Sequence, residues 1–146
     1  MSQDQDKTDL MSLYSERILA FSQNLPKTEP LANPDLTASR RSPLCGSSLE
    51  VALKIEDGVI ADYSHTVRAC ALGTASAAIF AAQVVGRSRD EVEALARELR
   101  AMLKEDGPVP TAPFADYEVL LPARDYANRH ASIMLAPEAV LEAWEG

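Results

Sequence analysis

Residues that carry most side-chain chemistry are scarce in this chain: 2 cysteines, 2 histidines and 1 tryptophan among 146 residues, with aromatics at 5%. So few cysteines exclude a disulfide-stapled scaffold, and a chain of this length buries enough surface to need no staple. An excess of basic charge is also missing. With 14 Lys and Arg against 22 Asp and Glu, the net charge of -8 argues against a nucleic-acid groove, which needs clustered cations. Long apolar runs are absent as well. The most apolar stretch, Ala69 to Val85, is interrupted by Thr74, Ser76 and Gln83 and falls short of the ~20 residues that span a bilayer. The opening Met1 to Lys7 is polar and acidic where a signal peptide is basic and then apolar. These absences point to a cytoplasmic, reducing setting. There the partners are proteins or metal rather than nucleic acid or membrane, and paired cysteines more often serve metal or redox chemistry than structure.

Residues 1–8 read as a disordered tail and 9–146 as one domain. Leu10, Leu13, Tyr14, Ile18 and Phe21 recur at helical spacing and predict an amphipathic first helix over Asp9 to Ser22. Pro26, Pro30, Pro34 and Pro43 then punctuate a linker of about 20 residues that carries Arg40 and Arg41. Small residues after Cys70 (Ala71, Gly73, Ala75, Ala77, Ala78) lead into a helix stopped by Gly86. Ser88 with Glu91 forms a capping box for the next helix, whose apolar stripe is Val92, Leu95, Leu99, Met102 and Leu103, with Glu93 and Arg97 as an exposed pair. Tyr117 to Leu121 fits a short strand or an extended segment. A final helix is expected with Pro137 in its first turn and Val140, Leu141 and Trp144 on one face.

Between the cysteines lies a β-hairpin. Leu49, Val51, Leu53 and Ile55 alternate with polar residues, and so do Val59, Ala61, Tyr63, Val67 and Ala69 after Asp57-Gly58. A two-residue turn pairs odd positions with even ones and turns one apolar face to water. The expected turn therefore has three residues, with Gly58 as a left-handed bulge, and opposes Val51 with Tyr63, Leu49 with His65 and Cys45 with Ala69. That register brings Cys45 and Cys70 to one place, where two thiolates can share a ligand. His65 is read as a half-buried strand residue, and Tyr63 and Trp144 as core anchors. Arg40, Arg41, Arg68, Arg124 and Arg129 are candidates to flank the end where the cysteines meet, with solvated surface the commoner role for any one of them.

Cys45-Gly46 opening a strand, Cys70-Ala71-Leu72-Gly73-Thr74-Ala75-Ser76-Ala77 closing the hairpin, Gly86-Arg87-Ser88-Arg89-Asp90-Glu91 at a helix start, and His130-Ala131-Ser132-Ile133-Met134-Leu135-Ala136 follow one another in order. Together they resemble the NifU/IscU-type iron-sulfur cluster assembly scaffolds. The resemblance implies an α+β fold, a small antiparallel sheet covered by helices, and a non-enzymatic scaffold that binds iron or an iron-sulfur cluster and accepts sulfur from a cysteine desulfurase. It implies Cys45 and Cys70 as thiolate ligands and His130 as the imidazole ligand. That donor set suits Zn and iron-sulfur clusters.

The sequence departs from the family pattern at two ligand positions. Cys-Gly-Asp reads Cys45-Gly46-Ser47, and His-Cys reads His130-Ala131. A chaperone-recognition segment of the family is altered at Leu121-Pro122-Ala123-Arg124. Ser47 is expected to hydrogen-bond near the site rather than to ligate. A zinc-binding sulfur-relay protein of the same fold is the first alternative. A metal-free scaffold that regulates through protein contacts is the second.

Overall fold

The computed structural model describes residues 16–42 and 46–145. The expected tail, the first part of the first helix and Cys45 lie outside the described residues. Helix α1 spans Glu16–Gln23, and Ile18 on its apolar face is fully buried. Strands β1 (Leu36–Arg41), β2 (Ser48–Glu56) and β3 (Val59–Arg68) form an antiparallel sheet in the order β1-β2-β3. Helix α2 (Ala71–Gln83) follows β3 directly, and α3 (Arg89–Lys104) follows α2 after a short turn at Gly86. Two 3₁₀ segments, Ala115–Asp125 and Ala127–Arg129, lead into α4 (His130–Glu145). No helix among the described residues is long and apolar enough to cross a membrane.

The expected α+β class is what the chain adopts. Helix α4 lies over β1 and β2, α2 packs against β3 and α4, α1 packs on α2, and α3 packs on α4. One sheet face is therefore buried, with Leu49, Val51, Leu53, Tyr63 and His65 all within the interior, while Thr37, Ser39, Glu50, Thr66 and Arg68 are exposed on the other.

The hairpin register differs from the expected one. Asp57 (φ 53°) and Gly58 (φ 78°) both occupy the left-handed region, as a two-residue type I′ turn requires. Glu56 pairs with Val59 and Ile55 with Ile60, so odd positions do face even ones beside the turn. The ladder then shifts, Lys54 pairing with Asp62, which leaves Ala61 as an unopposed extra residue. A bulge in β3 thus restores the matching of faces that the sequence argument assigned to the turn itself. Every pair beyond it is displaced by two residues. Val51 opposes His65, Leu53 opposes Tyr63 and Leu49 opposes Val67.

Four further expectations are corrected. The proline-punctuated linker contains β1, an edge strand that alternates half-buried and exposed positions without a strong apolar signal. Tyr117 to Leu121 is 3₁₀-helical rather than extended. Glu93 pairs with Arg89 at 3.2 Å, not with Arg97. Pro137 sits well inside α4 instead of in its first turn, and the surroundings accommodate it. Proline lacks the N–H that would donate to Ile133 O, four residues back. Ser76 Oγ, from α2, donates to that carbonyl at 2.6 Å in its place.

The free edge of β3 is covered at both ends. Ile60 N donates to Arg87 O at 3.0 Å and Gly86 N to Ile60 O at 2.7 Å. His65 N donates to Lys27 O at 3.1 Å, and the His65 ring Nε2 lies 2.8 Å from Pro26 O. Such cover removes an exposed ladder that would otherwise template pairing with another chain. It also buries His65, whose pKa is pushed down by that burial and partly restored by the Pro26 carbonyl.

Candidate functional site

Three chain segments meet at the start of α2. Cys70 is the N-cap of this helix, half-buried, and its own side chain caps no backbone N–H. The start of a helix carries partial positive charge, which suits anionic groups such as thiolate or sulfide. Cys70 Sγ lies 3.9 Å from Ser132 Oγ, and Ser132 Oγ donates to Ser47 Oγ at 3.0 Å. Both serines are almost fully buried. Ser132 therefore links the beginning of α2 to the residue just ahead of β2.

The connection from β1 to β2 is held by its own backbone. Gly46 N donates to Ser42 O at 2.9 Å and Ser42 N to Ser47 O at 2.8 Å. Gly46 has φ 68°, a conformation that glycine adopts without a Cβ penalty. Ser47 is thereby aimed into the junction rather than toward solvent.

The approach of α2 to α4 depends on small side chains. A Cβ on Gly73 would collide with Ser132 Oγ and stand 2.9 Å from Ala69 Cβ. Glycine at 73 is thus what lets Ser132 reach Cys70. Farther along the same interface, Tyr117 donates its hydroxyl to Ser76 O at 3.2 Å. Burial holds the Tyr117 pKa well above the usual tyrosine value, so it stays a neutral donor.

His130 is the first residue of α4, two positions before Ser132, and is 4% exposed. Its Nε2 lies 2.9 Å from Ala123 O. A proton on Nε2 satisfies that carbonyl and leaves Nδ1 with a lone pair, the arrangement by which a backbone carbonyl orients a metal-binding imidazole. Cys70 and His130 thus both stand at helix starts, Cys70 in contact with Ser132 and His130 two residues before it in the chain. Among the described residues no group of three or more His, Cys, Asp or Glu side chains is assembled to hold a metal. Cys45, the remaining expected ligand, lies outside the described residues.

Ser132 is the residue that sequence reasoning passed over. It appears in the sequence only as one letter of the His130 motif, and its role depends on a contact with α2 that no local pattern encodes. The arginines divide. Arg40 reaches Glu142 at 3.7 Å and Glu138 at 4.0 Å on α4. Arg124 donates to Met102 O and Gly107 O, both at 2.7 Å, and so ties down the end of α3. Arg41 and Arg68 remain on the exposed sheet face, level with Ser48.

Comparison with known proteins places this arrangement in a family. The profile described as the NifU-like N terminal domain matches residues 13–132. A crystal structure of a nitrogen-fixing NifU-like protein (N-terminal) from Brucella abortus superposes with a TM-score of 0.91 at 43% identity, over 94% of this chain and 95% of that one. A putative iron-sulfur cluster assembly scaffold protein for the SUF system from Fervidobacterium islandicum shares the fold, with a TM-score of 0.79 at 17% identity over 90% of this chain and 96% of that one. The iron-sulfur cluster assembly scaffold protein IscU of Thermotoga maritima is 27% identical over 90 residues, and the match spans 62% of this chain and 63% of that protein. The profile match, which runs from the first helix to Ser132 at the junction, together with the close structural likeness, establishes that this chain belongs to the NifU-like N-terminal domain family.

Proposed function

We propose that this chain is an iron-sulfur cluster assembly scaffold that holds iron or a cluster through Cys45, Cys70 and His130 and receives sulfur from a cysteine desulfurase. The observation that carries the reading is the hydroxyl bridge from Ser47 through Ser132 to Cys70. It draws the residue two places after Cys45 to the same junction as Cys70 and the start of α4, and two residues of chain reach only about 7 Å. Soft thiolates with one imidazole suit iron, zinc and iron-sulfur clusters. Membership of the family and the names of the relatives support the same role.

Sulfur transfer needs no outside oxidant. A cysteine thiolate of this chain attacks the outer sulfur of the desulfurase persulfide. A new S–S bond forms as the old one breaks, and the desulfurase cysteine leaves as thiolate.

A second reading, zinc at the same residues, is favoured by one observation. Ser47 stands where the family carries a carboxylate, and its hydroxyl is already engaged by Ser132. Three protein ligands with an open fourth position form a reactive zinc site. Metal and acid-labile sulfide analysis of anaerobically purified protein, with its visible spectrum, separates the readings. Iron with sulfide and a thiolate-to-iron absorption band is the expected result. Zinc without colour moves the assignment to the second reading. Either metal should be lost with Cys45→Ala or Cys70→Ala and retained with Ser47→Ala. Protein that takes up no metal on reconstitution would overturn both readings.

A further inference from the structure

The exposed face of the sheet carries a polar feature at the same end as Cys70. The pairing of the strands aligns Arg41 with Ser48 and Ser48 with Arg68, so two arginines flank one small hydroxyl side chain. Neighbouring strands lie about 4.8 Å apart, which sets the two arginine backbones roughly 10 Å from each other. The next row on this face is Ser39, Glu50 and Thr66. Arg41, Gly46, Ser48, Glu50, Thr66 and Arg68 line a cavity of about 510 Å³. Arg40, one residue earlier, is drawn to the opposite face by the glutamates of α4. Arg41 and Arg68 make no ion pair within 4.0 Å among the described residues, Glu50 included.

We propose that this cavity binds a small polycarboxylate anion. Each guanidinium offers a planar fork of donors that matches a carboxylate. Two forks separated by a whole strand are spaced for an anion with two or more acid groups rather than for a single one. Ser48 adds a hydroxyl donor between them and Thr66 another in the next row, and the cavity has the size of a small-molecule site. The rest of the chain is acidic, with a net charge of -8. Two arginines on one row, without ion-pair partners among the described residues, are therefore a local reversal of its field. Glu50 lowers the affinity and is the one acidic group among the described residues that line the cavity. The site uses neither cysteine, so it stands or falls independently of metal binding.

Calorimetric titration of the metal-free full chain with tricarballylate, a weakly chelating tricarboxylate, tests this at low, fixed ionic strength. Saturable one-to-one binding is expected. Arg41→Gln and Arg68→Gln should each weaken it by about tenfold, the size of a charge-assisted contact. Glu50→Gln should strengthen it, and Arg97→Gln on α3 should leave it unchanged. These side chains lie at the surface, and circular dichroism checks that the variants fold. Absence of saturable binding, or binding indifferent to both arginine substitutions, would overturn the proposal. Inorganic phosphate or acetate binding as tightly as tricarballylate would also overturn it, because one anionic group would then suffice. A glutamate-rich peptide binding more tightly than tricarballylate, with the same dependence on Arg41 and Arg68, would replace the small-molecule site with a docking face for an acidic protein segment.

Discussion

At the scale of single residues, the most consequential contact is the one between Ser76 and Ile133 O, because it repairs a proline in the interior of a helix. Removing the hydroxyl strands a buried carbonyl. Ser76→Ala should therefore destabilise the fold by about 1–3 kcal/mol. In a Pro137→Ala background the residue at 137 regains its N–H and can satisfy Ile133 O itself. The cost of Ser76→Ala should then shrink by about 1 kcal/mol or more, a coupling that denaturant unfolding of the four proteins would measure. Strict additivity would mean that the hydroxyl serves some other purpose. His65 supplies a second residue-scale outcome. Burial lowers its pKa in the folded chain, and its Nδ1 is buried with no partner among the described residues to receive a new proton's hydrogen bond. As pH falls, the unfolded chain takes up this proton first, near the ordinary value of 6.5. Stability should consequently decline with acidification through that region, by at most about 1.4 kcal/mol per pH unit for one proton. Unfolding midpoints compared between about pH 7.5 and 5.5 should fall in the parent and fall less in His65→Phe.

At the scale of elements, α3 and β1 mark the two extremes of legibility. The capping box is written in consecutive residues and forms as read, with Glu91 N donating to Ser88 Oγ at 3.2 Å and Ser88 N donating to Glu91 Oε1 at 3.1 Å. The backbone N–H of Ser88 is the main reason the Glu91 carboxyl titrates below its usual range, with Arg87 assisting. Strand β1 is only six residues long, LTASRR, and its inward positions are Leu36, Ala38 and Arg40. An inward arginine breaks the apolar alternation by which strands are recognised, and its partners on α4 are remote in sequence. The bulge at Ala61 was equally hidden, since parity can be restored anywhere along the ladder and the sequence names no place for it. Cys70 and His130 were singled out by motifs written in consecutive residues, and the structure sets each at a helix start, whereas Ser132 acquires its place only when α2 meets α4. Gly73 controls that meeting. Gly73→Ala should cost about 1–3 kcal/mol through overpacking and push Ser132 away from Cys70. Thermal unfolding and the rate of Cys70 alkylation in a Cys45→Ser background read the two effects. An unchanged melting temperature together with an unchanged rate would show that the interface yields freely.

At the scale of the whole molecule, the balance between metal-free stability and the proposed metal binding is the property most open to test. Ser47 is 2% exposed and accepts from Ser132, so Ser47→Asp, which restores the family residue, places a carboxylate in a buried junction. The metal-free variant should melt lower than the parent, because a buried charge with incomplete partners is costly. Added Zn or Fe should raise its melting temperature by more than it raises the parent's, since a ligand that binds only the folded state stabilises it in proportion to affinity. Equal metal-induced shifts in the two proteins would place Ser47 outside the coordination sphere.

Small side chains at the crossing of α2 and α4 have a consequence for preorganisation. Gly73 and Ala69 contribute no rotor there, and Ser132 and Cys70 contribute one each, so the junction has few conformations to lose when a ligand arrives. Long side chains immobilised on binding each forfeit about 0.5–1.5 kcal/mol. Here that ordering is completed when the helices pack, before any cargo is present. On the proposed function, the entropy of uptake at this junction is then set by displaced water and protons rather than by the protein settling into shape.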